Sequence, residues 1–163
     1  MYQPYPGSDT QVPATQRGPA PASVRNAVNA MFVGAVASLL GIVIDIVTVS
    51  ATKTAIERRS PNLTASQVSS LQHVLIGGFI AGGVIAAAVW IGLALACRGG
   101  RNWARITGTV LFGLSTLDTI GGLAAPVGGA TKIWAVVVWL VALTAVFFLW
   151  RRDSSAWFKA SAR

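Results

Sequence analysis

Four apolar runs dominate the chain: approximately Ala27 to Val49, Val74 to Cys97, Ile106 to Ala125 and Ile133 to Trp150. Each is close to the roughly 20 residues that an α-helix needs to cross a hydrocarbon layer about 30 Å thick. A helix satisfies its own backbone amides and carbonyls, so it is the form in which such a run can leave water. The runs predict an all-α protein, an integral membrane four-helix bundle over residues 23–150. Composition agrees. Only 11% of the 163 residues are charged and the mean hydropathy is +0.61, whereas soluble domains carry about 25% charged residues.

The segments around the spans are polar. Residues 1–22 hold Pro4, Pro6, Pro13, Pro19 and Pro21 among Gln, Ser, Thr and Gly. Such a segment buries too little apolar surface to offset its ordering entropy, so a disordered tail is expected, with Tyr2-Gln3-Pro4-Tyr5-Pro6 as a short docking peptide at most. It has no basic segment followed by an apolar stretch, so the first span and not a cleaved leader is expected to direct insertion. Between the first two spans, Pro61 ends any helical continuation of the first. Thr64-Ala65-Ser66-Gln67 fits a capping box, which starts the second helix before it reaches the hydrocarbon. Arg98 to Arg105 is short enough to force the second and third spans antiparallel, and a loop of small residues around Pro126, Gly128 and Gly129 joins the last two. Residues 151–163 form a basic tail.

Basic residues resist translocation, so their distribution orients the bundle. Arg17, Arg25, Arg98, Arg101, Arg105, Arg151, Arg152, Lys159 and Arg163 fall on the side of the termini. Lys53, Arg58, Arg59 and Lys132 fall on the other. The bias predicts both termini in the cytoplasm, with Trp103 and Trp150 at the inner interface and Trp134 at the outer one. The net charge of +8 is then a topology signal with anionic lipid headgroups as counter-charge. Nucleic acid is not an expected partner, because the basic residues flank apolar runs instead of gathering on one soluble face.

Chemistry-bearing groups are few. A lone cysteine, Cys97, excludes an internal disulfide, and a lone histidine, His73, excludes paired-imidazole sites. No metal site, cofactor or catalytic constellation is expected, and the chain reads as non-enzymatic. Asp45 and Asp118 are the only acidic residues inside spans, which makes them functional candidates because buried carboxylates are costly in lipid. On the first span, Gly34, Ser38, Gly41, Asp45 and Thr48 recur at steps of four and three. On the third, Gly108, Ser115, Asp118 and Gly122 form a similar stripe. Small faces mark close helix packing, so both carboxylates are expected to face the bundle interior. At about 1.5 Å per residue, Asp45 lies roughly 6 Å and Asp118 roughly 10 Å below the outer ends of their spans, with His73 above them. The three form a candidate intramembrane polar site for a cation or proton. The plainer alternative is that each aspartate hydrogen-bonds a hydroxyl on a neighbouring helix. Gly78 and Gly82 offer a second close-packing face, within the chain or against another copy. Arg98, Arg101, Trp103 and Arg105 are candidate contacts for lipid or a partner. Asn62-Leu63-Thr64 matches a glycosylation sequon.

In Arg101-Asn102-Trp103-Ala104-Arg105-Ile106 and in Trp150-Arg151-Arg152-Asp153-Ser154-Ser155-Ala156-Trp157-Phe158 the chain resembles a group of small four-span membrane proteins of high-GC actinobacteria. The Pro/Gln/Tyr-rich start and the excess of Arg over Lys are similar too. The resemblance implies a bacterial plasma membrane, where the sequon is idle, and no catalytic residue to carry over. The expectation is a protein that acts by association, as a scaffold, accessory subunit or envelope-assembly factor, alone or as a homo-oligomer. The alternative is a small cation- or proton-coupled transporter or channel using Asp45 and Asp118.

Overall fold

The computed structural model describes residues 19–125 and 128–161, apart from the side chains of residues 52 and 161. The proline-rich tail up to residue 18 and Pro126 lie outside the described residues. Six helices follow in order: α1 (Ala22–Val47), α2 (Val49–Arg59), α3 (Ala65–Arg98), α4 (Asn102–Ala124), α5 (Gly129–Leu149) and α6 (Arg152–Ser161). Among the described residues there is no strand. Four of them, α1, α3, α4 and α5, are long and apolar enough to cross a membrane. The chain is an all-α, multi-pass membrane four-helix bundle.

Local chemistry explains the boundaries. Pro21 stands as the N-cap of α1, where its missing amide costs nothing. A single break at Thr48 separates α1 from α2, which ends at Arg59 just before Pro61. The capping box forms: Thr64 N donates to Gln67 Oε1 at 2.8 Å, and Gln67 N to Thr64 Oγ1 at 3.4 Å. At the other end of α3, Gly100 takes φ 73°. Arg101 N then donates to the carbonyl of Ala96 and Gly100 N to that of Cys97, at 3.1 and 3.0 Å. This pair of bonds is a Schellman closure, and it turns the chain directly into α4.

The spans form a ring in which α1 touches α3 and α5, α5 touches α4, and α3 and α4 make the least contact of these neighbours. No contact joins α1 to α4, which stand diagonally opposed. The end that carries the start of α1, the α3–α4 turn and α6 is termed basal, and the end that carries α2 distal. The core is basal. Val24, Ala27, Met31, Ala94, Cys97, Ala104, Ala145, Leu149 and Phe158 are nearly solvent-free and form one cluster. Alanines at the crossing points let the helix backbones approach, as packing in lipid requires. The outward-facing Val, Leu and Ile side chains are exposed on all four spans, as a surface solvated by acyl chains should be.

Residues 151–163 are more than a basic tail. Arg152–Ser161 is a helix, and its Phe158 is completely buried among the basal ends of the spans. Ser154 Oγ donates to the carbonyl of Phe148 at 2.7 Å and shares a 2.8 Å bond with Ser23 Oγ. α6 thereby ties the end of α5 to the start of α1.

Candidate functional site

The small face of α1 packs as a face should. A Cβ on Gly34 would lie 2.7 Å from the indole of Trp90 on α3, and one on Gly41 3.1 Å from that of Trp134 on α5. Ser38 is buried between them, its hydroxyl bonded to the carbonyl of Gly34 at 2.9 Å. On α3 the close approach falls on Gly83, whose Cβ would meet Ile42 at 2.6 Å and the carbonyl of Ser38 at 3.2 Å. The expectation for Gly78 and Gly82 within the chain is therefore corrected: both face open space, with nothing within 4 Å. One residue is a 100° turn on a helix, so the Gly82-Gly83 pair points two ways.

Many polar side chains in the spans are bonded within the bundle, and α5 with its C-cap Trp150 supplies most of the cross-links between spans. Trp134 Nε1 donates to the carbonyl of Ala37 on α1 at 3.0 Å. Trp139 Nε1 donates to Thr116 Oγ1 on α4 at 2.9 Å, and Trp150 Nε1 to Thr109 Oγ1 at 2.9 Å. Both threonines hand their own protons to carbonyls one turn back, Phe112 and Arg105. No hydroxyl in these relays is left unsatisfied, which lipid demands.

Asp45 belongs to this pattern. Half-buried near the distal end of α1, it accepts a 2.8 Å hydrogen bond from Thr131 Oγ1 on α5. Asp118 does not. It is exposed on α4 with no hydrogen bond or ion pair among the described residues, six residues short of Ala124, or about 9 Å by the helical rise. The expectation that it faces the interior is corrected. α4 turns Phe112 and Thr116 to α5 and Thr109 to Trp150, and that register leaves Asp118 at the exposed edge of α4, in line with Leu111 two turns back. His73 is exposed on the distal part of α3. One chain therefore does not bring the three together, and among the described residues no group of three His, Cys, Asp or Glu could hold a metal.

The basal arginines divide into two kinds. Arg98 and Arg101 are exposed beside Trp103, which is 54% exposed. Arg105 is buried: its guanidinium carbon sits 3.9 Å from the ring centre of Trp150, and Nη2 donates to Ser155 Oγ at 3.0 Å. Its Nε has no partner. Stacking on an indole and bonding to α6 make it a structural cation. Its partners come from residues 150–158, whose helix the basic composition of that segment hid from sequence reasoning. The spacing of Ser154, Trp157 and Phe158, a short amphipathic stripe, is the signal that marks it.

A feature not read from the sequence lies between α3, α4 and α5. A cavity of about 300 Å³ has Gly82, Trp90, Gly108, Phe112 and Ala145 among its lining, with Met31 of α1. Ser115 is the one hydroxyl in it and is spent on the carbonyl of Phe112. Fold and site together define a multi-pass membrane helical bundle with an apolar cleft. No protein family, curated protein or solved structure matches the chain.

Proposed function

We propose that this is a bacterial plasma-membrane protein with both termini cytoplasmic, and that it acts without catalysis, by associating with other membrane components. It serves as a scaffold, accessory subunit or envelope-assembly factor. The observation that carries this reading is Asp118. An exposed carboxylate within a span costs up to about 3 kcal/mol, whereas the neighbouring hydroxyls of Ser115, Thr116 and Thr119 on α4 are all bonded within the chain. Gly121 and Gly122 beside it have nothing within 4 Å, so a second helix can approach that face to backbone distance. A helix seated there shields the carboxylate from acyl chains. The basic residues on the basal end support the orientation, and the resemblance noted above supports the bacterial setting.

The transport alternative needs Asp45 and Asp118 in one site, and they sit on helices that do not touch. The test is crosslinking in intact membranes from a photoreactive residue placed at Gly121. A discrete adduct, lost in Asp118→Leu, is the expected result. Monomer alone, in membranes and in mild detergent, overturns the reading.

A further inference from the structure

We propose that the cleft between α3 and α4 is a phospholipid site: it takes one acyl chain of an anionic lipid from the basal leaflet, whose phosphate lies against Arg98 and Arg101. The cleft opens sideways, because α3 and α4 are the neighbouring spans that pack least. Ile85 and Leu111 on its two walls are 63% and 37% exposed. The medium on that side is hydrocarbon. An apolar cavity continuous with hydrocarbon is filled by it, since an empty one forfeits the dispersion contacts of its whole lining.

Dimensions favour a chain over a helix. From Leu93 to Gly82 the α3 wall runs from about 8 Å to about 24 Å beyond Arg98, by the helical rise. That interval is comparable to half of a hydrocarbon layer about 30 Å thick. The room is limited to about 300 Å³, roughly a quarter of the volume of a helix about 10 Å across running the same length, so a helix does not fit. Gly82 and Gly108 create the room: a Cβ on Gly82 meets nothing within 4 Å, and one on Gly108 meets only Leu93 at 3.8 Å.

Charge selects the headgroup. Arg101 caps α4 at the turn that joins the two walls, and Arg98 is three residues away. Arg25, Arg151, Arg152 and Lys159 are also exposed on the basal end, against the single acid Asp153. Among the described residues none of these cations is held in an ion pair, so the phosphate meets no internal competitor.

The experiment uses the full chain reconstituted in vesicles of equal parts phosphatidylglycerol and phosphatidylcholine, extracted in mild detergent and weighed intact by mass spectrometry. Wild type is expected to carry one phosphatidylglycerol per chain. Gly82→Leu and Gly108→Leu, which fill the cleft, are expected to carry none. Gly77→Leu, an equally open glycine outside the cleft, keeps the lipid and controls for the substitution itself. The double variant Arg98→Gln, Arg101→Gln keeps a bound lipid but loses the preference for phosphatidylglycerol. Lipid-free wild type, unchanged retention in both cleft-filling variants, or a second copy of the chain in place of lipid each overturns the proposal. Crosslinking from Gly121 reads association separately, so either idea can fail without the other.

Discussion

Thr131 on α5 donates a 2.8 Å hydrogen bond to Asp45 on α1, and so links two spans at the distal end where apolar packing is thin. Hydrogen bonds between membrane helices contribute about 0.6 kcal/mol on average and up to about 1.7. A double-mutant cycle with Asp45→Leu and Thr131→Val, followed by unfolding in mixed micelles, should give a coupling energy within that range. A coupling of zero would show that the carboxylate is solvated by water and not by Thr131.

The basal and central packing of α1 depends on absent side chains. Gly34→Val places carbon where Trp90 already lies 2.7 Å away. Overpacking of this kind costs about 1–3 kcal/mol. Gly77→Ala, on the open face of α3, is expected to be neutral or slightly stabilising, because alanine exceeds glycine in helix propensity by about 1 kcal/mol. Thermal unfolding of the two variants against wild type compares them directly.

The α3–α4 turn requires a left-handed residue. Gly100 has φ 73°, a region that costs an L-residue about 1–2 kcal/mol. Gly100→Ala should lower stability by that amount, while Gly99→Ala, at φ −76°, should cost less. Equilibrium unfolding distinguishes the two neighbours.

Cys97 reports on the docking of α6. The thiol is completely buried in the same cluster as Phe158. Folded protein should resist maleimide labelling until it is denatured. Phe158→Ala removes a fully buried ring, a change that costs about 3–5 kcal/mol, and should release α6. Faster labelling of Cys97 together with new protease cleavage within residues 151–161 is the expected pair of results. Labelling unchanged from wild type would mean that the cluster closes without α6.

The spans, the capping box at Thr64 and Gln67, and the turn at Gly99-Gly100 were legible in the sequence, because each depends on residues within a few positions of one another. Hydropathy over about 20 residues decides that a segment leaves water, whatever it packs against. Facing is different. Whether Gly82 or Gly83 meets α1, and whether Asp118 looks inward or outward, depends on how each helix rotates about its axis. That rotation is decided by partners remote in sequence: Trp90 against Gly34, Ile42 against Gly83, Trp139 against Thr116. Small residues surround α3 and α4 on more than one side, so no stripe singles out the buried face. The amino-acid order alone determined a four-span membrane bundle. Only the tertiary structure decided that Asp45 is bonded while Asp118 has no partner among the described residues, and that the least-packed pair of spans leaves an apolar cleft.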